Sequence, residues 1–417
     1  HPSHAKPTRY KKDQDYADAL VEILDRATEA RLRTSKAVGA ELSAGLDSSS
    51  VTASAARLLG AQGKTLTAFT AIPRPDFNAL SKPWLIPSEG AAAAEVVRLY
   101  PNVEHFLVDT RGRPLLGTTM RWTAVLDEPT INMVNLQWLD AIFEQASQRG
   151  IGVMLEGASG NATISWETSS IFAYLFRRMR WIKLVQTTHR LRGHGDISLR
   201  TAAAASLTGL LPAWSRRLVS PFDPLQSYAT LASPELAPTC LLKARAFQDA
   251  VLNAVDPVAE HSVIFGISDF GNLHAATQAL TQIEVRDPTA DKRVCDFCFS
   301  IPHEQYVAEG HSRSLIRRAM KGRLPESTRL RYARGLQGAD WYLSLQEAMP
   351  SLRHELSLLD RSASARQILD LPRMHHLLDT LPESGYEQKD VRDTWNLALT
   401  RAFSMGYFLR TQGSGRP

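Results

Sequence analysis

Four short apolar runs, at residues 38–42, 66–72, 103–108 and 151–155, alternate with helical stretches at 49–59, 90–99 and 133–148. Strand and helix alternating at this spacing predict an α/β fold, a parallel sheet with helices on both faces. Ligands bind such sheets beyond the carboxyl ends of the strands. Functional residues are therefore expected just after Leu42, Ile72, Val108 and Leu155. A helix is expected ahead of the first strand, from about residue 14, where Tyr16, Leu20, Ile23, Leu24, Ala27 and Ala30 recur at three- and four-residue spacing. Past residue 160 the strand signal fades into helices with proline-marked loops, among them Leu211-Pro-Ala-Trp and the run 220–238. The expected organisation is a tail at 1–13, an α/β core at 14–160 and a mainly helical lobe at 161–417, whose last residues are expected to be disordered.

Composition narrows the setting. With 44% hydrophobic and 22% charged residues in 417, the chain is globular and long enough for two or three packed units. It lacks the roughly 20 consecutive apolar residues of a membrane span, and its polar start is unlike a signal peptide, so a cytoplasmic location without membrane contact is expected. It starts without methionine, which suggests a missing N-terminal part. Three cysteines cannot frame a disulfide scaffold in a chain this long. Cys295 and Cys298 form a CxxC with both thiols near one helix face, expected to be a structural pair rather than a zinc or redox site. A net charge of +5 does not imply nucleic acid. Arg177, Arg178, Arg180, Lys183, Arg190 and Arg192 lie among Phe172, Tyr174, Phe176, Trp181 and Leu184, which suits an amphipathic basic helix. Its readings are a solvated face over a packed stripe or a docking surface for an acidic or phosphorylated partner.

The segment Val38-Gly-Ala-Glu-Leu-Ser-Ala-Gly-Leu-Asp-Ser-Ser-Ser-Val51 passes from strand to helix through small and hydroxyl residues. Such a turn leaves backbone N–H groups unpaired at a helix N-terminus, where the dipole favours phosphate. Leu42, Ser43, Gly45, Leu46, Asp47, Ser48 and Ser49 are the candidate ATP contacts. An acid within an anion site makes sense where it holds Mg²⁺ against phosphate, and Asp47 has that role; the alternative is that Asp47 or Ser48 caps the helix.

Ser43-Ala-Gly-Leu-Asp-Ser-Ser resembles the Ser-Gly-Gly-x-Asp-Ser signature of the ATP pyrophosphatases, and Glu-Leu-Ser-Ala-Gly-Leu-Asp-Ser-Ser is closest to the asparagine synthetase group. Ala44 departs from the usual glycine, and no Walker lysine follows. Three further segments match in order. They are Leu126-Asp-Glu-Pro129, Val153-Met-Leu-Glu-Gly-Ala-Ser-Gly-Asn-Ala-Thr-Ile-Ser-Trp166, and Glu284-Val-Arg-Asp-Pro-Thr-Ala-Asp-Lys-Arg293, the last followed by Gly310 to Met320 and Leu324-Pro325. The resemblance covers about residues 14–345. It implies an adenine-nucleotide alpha-hydrolase type fold, ATP and Mg²⁺, and an AMP-forming carbon–nitrogen ligase. Glu156, Gly157, Gly160 and Asn161 take the place of the second nucleotide loop, with Asn161 where the family has a magnesium-holding Asp. The family's late-loop lysine is not evident, and Arg331 or Arg334 is the candidate cation.

Gly-Asn-Ala-Thr-Ile-Ser-Trp, the run from Asp127 to Trp138, and Arg-Gly-Leu-Gln-Gly-Ala-Asp-Trp resemble the lasso-peptide macrolactam synthetases. That branch implies adenylation of an Asp or Glu side chain in a precursor peptide and attack by the peptide's own N-terminus. A leader-binding protein and a leader protease are the implied partners. An asparagine or β-lactam synthetase acting on a small substrate, and a degenerate nucleotide- or peptide-binding relative, are the alternatives. Asp127 and Glu128 are candidates for activating the amine or orienting a cation, or for capping a helix before Thr130. Glu156 is an adenine-side contact, a substrate-facing acid or a surface acid. Arg286 and Asp291 are expected to pair beneath the site. His105 and His311 are assigned no chemistry.

Overall fold

The computed structural model describes residues 7–77, 85–166, 170–193, 231–253, 270–308 and 311–412. The expected 211–214 loop, most of the 220–238 run, Gly310 and residues 413–417 lie outside them.

Helix α1 (Asp13–Arg31) begins with Asp13 and Asp15 and ends with Arg31, charges that suit its dipole, and it buries Tyr16, Leu20, Leu24 and Ala27. Strand β1 (Ala37–Glu41) leads into α2 (Leu46–Gly60), then β2 (Leu66–Ala71), a short β3 (Leu85–Ile86), α3 (Gly90–Val97) and β4 (Val103–Val108). Next come α4 (Leu115–Leu126), α5 (Met133–Gln148) and β5 (Ile151–Leu155). All pairings in the five-stranded sheet are parallel, in the order β4-β2-β1-β5-β6. The chain winds outward from β1 to β2 and β4, then crosses to β5 on β1's other edge. That reversal opens a crevice above β1 and β5.

Helices cover both faces. On one side Leu46, Val51, Ala53 and Leu59 of α2 join Leu66, Ala68, Val153 and Leu155 and the buried stripe of α1. On the other, Ala141, Ile142, Phe143 and Ala146 of α5 pack on Phe69, Val108, Ile151 and Met154. Side chains alternating along β2 explain how Leu66 and Phe69 serve opposite cores.

Beyond β5, α6 (Ser170–Arg177), α7 (Trp181–Gly193), α8 (Ala237–Asn253) and α9 (Phe270–Thr281) are followed by β6 (Glu284–Arg286). Strand β6, at three residues, gave no periodic signal in the sequence; it forms by pairing with β5. Helices α10 (Lys292–Ser300) and α11 (Ser314–Ala319) then return to the first core through Val294, Phe297, Cys298, Leu315 and Ile316. Strand β7 (Arg334–Gly335) pairs with β3. Helices α12 (Trp341–Leu359), α13 (Ala363–Ile368), α14 (Leu371–Asp379) and α15 (Thr400–Gln412) enclose a separate core around Trp341, Leu352, Leu356, Met374 and Phe403.

Three expectations need correction. The basic stretch is not one helix: Met179 takes a left-handed φ of 54°, and the Arg180 N–H turns back to the Leu175 carbonyl. Two helices result, with Phe172 and Leu175 buried while Ile182 and Val185 are exposed. Arg286 does not pair with Asp291. Its guanidinium donates to the Arg31 and Arg33 carbonyls at the end of α1 and to Glu284, and Asp291, the N-cap of α10, takes Arg31 and Arg293 instead. A cation there satisfies carbonyls that the helix end leaves open. Third, the helix after Pro129 is capped by Asn132, whose side chain accepts from the Asn135 N–H, and neither Asp127 nor Glu128 caps it.

The CxxC lies on α10 with Cys298 buried and Cys295 partly so, both free. Burial pushes their thiols up to about 12 and about 11, which makes them poor nucleophiles. No helix among the described residues is long and apolar enough to cross a membrane.

Candidate active site

A cavity of about 1360 Å³ opens above the carboxyl ends of the strands. All four predicted strand ends reach it: Leu42 to Ser48 after β1, Pro73 after β2, Thr110 after β4, and Glu156 to Ala158 after β5.

The first loop holds its own shape. The Ser43 and Ser48 hydroxyls share a hydrogen bond at 2.7 Å, the Gly45 N–H donates to Ser43 Oγ, and the Ser49 hydroxyl donates to the Ser43 carbonyl. Ser49 is fully buried by that bond and does not line the cavity. Helix α2 begins at Leu46, three residues earlier than its sequence suggests, with extended Gly45 as N-cap. Asp47 thus sits in the first turn, at the positive end of the helix dipole. Its Oδ2 accepts from the Ser165 hydroxyl at 2.9 Å, while Oδ1 is buried without a partner. Burial raises its pKa to about 6, against the pull of Ser165 and Arg313.

The second loop supports the first. A Cβ added at Gly157 would lie 2.9 Å from the Asp47 carbonyl carbon, and one at Gly160 would lie 2.4 Å from Asp47 Cγ. These glycines are required for close approach to α2. Gly157 also lines the cavity, as does Asn161; Gly160 does not. Ser165 and Trp166, read in the sequence only as parts of a motif, hold Asp47 and fill the core against Tyr306.

Arg331 lines the cavity, donates to Glu95 at 3.3 Å and keeps one buried Nη1 without a partner. The backbone of Arg334 is in β7, and its side chain lies outside the described residues. Glu128 lines the cavity and accepts from Asn272 at 2.8 Å. Asp127 does not line it. This exposed residue ends α4 in a left-handed conformation, with φ at 57°, and accepts from Gln412.

Several cavity residues had no role assigned from the sequence, Arg313 and Arg317 standing there only as members of the matched 310–320 run. Glu89 accepts the Ala44 N–H; burial raises its pKa against the pull of that bond and of Arg331. Arg313 lines the cavity near Asp47, and Arg317 braces the late loop by donating to the Arg329 and Arg331 carbonyls. On the cavity floor, His274 Nε2 is 2.8 Å from Glu156 Oε1. Beside them Glu41 is partly buried, with Oε1 enclosed and unpartnered, and desolvation, Glu156 and Asp287 raise its pKa to about 8. Glu41 stood within the quoted nucleotide motif, yet only the structure pairs it with groups from β5 and α9. The Thr70 hydroxyl donates to the Leu42 carbonyl and so accepts from His105 Nε2–H, which steadies the end of β1.

The sequence model described as asparagine synthase matches residues 19–407. A search of curated proteins finds no match to the chain.

Proposed function

Because the chain belongs to the asparagine synthase family, we propose that its amide-forming chemistry joins an Asp or Glu side chain of a precursor peptide to the peptide's own N-terminal amine. The family uses ATP to form amide bonds and releases AMP, and this chain is an ATP-dependent ligase of that type. The observation that carries the peptide reading is the size of the cavity. At about 1360 Å³ it exceeds the roughly 300–1,000 Å³ that accommodates one small ligand, leaving room beside a nucleotide for a folded segment. Asn132, Asn135 and Trp138, within the run that resembles the macrolactam branch, line the cavity.

In this reading the amides of the Ser43–Ser48 loop bind the pyrophosphate end of ATP, and the substrate carboxylate approaches the α-phosphorus from the side of Glu128 and Trp138. The orphaned Asp47 Oδ1 and the Asn161 side chain fit a divalent cation. Magnesium held there would neutralise phosphate charge as it develops. Arg331 offers an unpartnered N–H to the same charge. Once the acyl-adenylate forms, the peptide's fold holds amine and acyl carbon together, a gain in orientation of several kcal/mol. A leader-binding protein and a leader protease would supply the free N-terminus.

With Mg²⁺, ATP and a leaderless precursor, the enzyme should release AMP and pyrophosphate and return the peptide lighter by one water, with no glutamine or ammonia added. Product that requires ammonia would instead mark a small-substrate synthetase, and nucleotide binding without pyrophosphate exchange would mark a degenerate relative.

A further inference from the structure

We propose that Glu156, held by His274, is the group that takes the proton from the attacking amine. Glu156 follows β5 at the cavity wall and His274 faces it from α9, so two elements distant in sequence converge on one point of the floor. The 2.8 Å bond engages Glu156 Oε1, which leaves the second carboxylate oxygen for a ligand. Phe270 lies parallel to the His274 ring at 6.2 Å and fixes its plane.

The charged groups around the pair set its state. Glu41 reaches it from β1 and Asp287 from beyond β6. The Asp287 carboxylate is fully engaged, accepting from the Ser159 N–H and from the Thr289 N–H and hydroxyl. Glu41 has no such partners, and burial beside two acids keeps it protonated at neutral pH. Burial raises Glu156 as well, while the bond and charge of His274 pull the other way. For His274 burial is the largest single influence and lowers the imidazole, but the bond to Glu156 and the charges of Glu156 and Asp287 together raise it. Both carboxyls are raised, but only Glu156 faces a cationic partner whose bond favours its charged form, which suits it rather than Glu41 to the role of base.

The step balances as follows. The amine, as R–NH₂, forms its bond to the acyl carbon. The bond from that carbon to the phosphate oxygen breaks, and AMP leaves with the electron pair. The nitrogen's surplus proton passes to the free oxygen of Glu156. His274, bonded to the other oxygen, is a positioning residue.

The inference rests on the family's ligation chemistry and sharpens the peptide reading without depending on it. The test compares wild type, Glu156→Gln and His274→Asn in two reactions, pyrophosphate exchange into ATP and amide formation. Both are run with the leaderless precursor and, separately, with L-aspartate plus ammonium. Glu156→Gln should lose about 10²–10⁴-fold more in amide formation than in exchange, the usual contribution of a positioned base. Hydroxylamine, far less basic than an alkylamine, gives a more acidic adduct that can lose its surplus proton to water, and should recover most of that loss. His274→Asn should move the acidic limb of the ligation profile to higher pH, because Glu156 then loses the partner that lowers its pKa. Equal loss of exchange and ligation in Glu156→Gln, or ligation unchanged, would overturn the proposal. Turnover of aspartate with an inert peptide would remove the peptide reading and leave this comparison standing.

Discussion

The loop after β1 and the floor of the cavity are both lined by residues of the strand ends, yet they are built in opposite ways. In the loop, Ser43, Gly45, Ser48 and Ser49 bond to one another within seven residues. Its shape is local, and a phosphate site follows from helix geometry. The floor takes Glu41 from β1, Glu156 from β5, His274 from α9 and Asp287 from beyond β6. Nothing local holds those acids together, and their altered proton affinities come from one another and from burial. The contrast teaches that anion binding can be encoded in one stretch of chain, whereas a tuned acid–base group needs the tertiary fold.

The comparison breaks first at Asp47. It belongs to the loop's sequence motif but sits in the first turn of α2, where Ser165 and the glycines of the second loop hold it. Asp47→Asn keeps the shape and removes the charge, so pyrophosphate exchange should fall by about 10²–10³-fold, the scale for losing one preorganised electrostatic contact. The melting temperature should stay near wild type; exchange at the wild-type rate would remove Asp47 from the chemistry.

Arg331 tests whether the late loop shares the electrostatic work. Its replacement by methionine should lower turnover by about 10–100-fold while leaving the peptide's KM nearly unchanged, the pattern of a contact made mainly in the transition state. A raised KM at constant turnover would make Arg331 a docking residue.

Gly160→Ala asks whether the first loop is truly self-sufficient. The new methyl group would meet Asp47 Cγ at 2.4 Å, so either Asp47 or the second loop must move, at a cost of about 1–3 kcal/mol. Where about 1.4 kcal/mol of that cost falls on the adenylation barrier, exchange should drop about tenfold. Unchanged exchange and melting would show that the two loops are uncoupled.

Glu41 sharpens the other side, with little expected effect on exchange. Its carboxyl rises from 4.5 to about 8 on folding. The folded state therefore binds its proton more tightly, and the stability this contributes is present below pH 4.5 and is lost as pH rises through 8. Glu41→Gln cannot ionise. Its melting temperature relative to wild type should climb between about pH 5 and pH 8, by the equivalent of a few kcal/mol at most. A difference independent of pH would mean that Glu41 does not titrate on its own in this range.

Periodicity in the sequence sufficed for 103–108, 151–155 and 133–148, which the structure reproduces residue for residue. In 133–148 the buried residues recur at the helix period, and 151–155 is a short apolar run that the sheet buries, so local pattern and tertiary packing agree there. The start of α2 at Leu46 was hidden, because extended Gly45 serves as N-cap without a side-chain signal. The motif likewise marked Asp47 and Asn161, but not that Ser165 holds Asp47 or that Gly160 makes room for it. Strand β6 escaped notice because three residues carry no period, and only β5 gives its backbone partners. The sequence by itself determined the parallel sheet, the serine-bonded loop after β1 and the ligase family. Tertiary structure alone decided which carboxylates meet at the floor, where burial and mutual repulsion act through space and leave no mark on the order of residues along the chain.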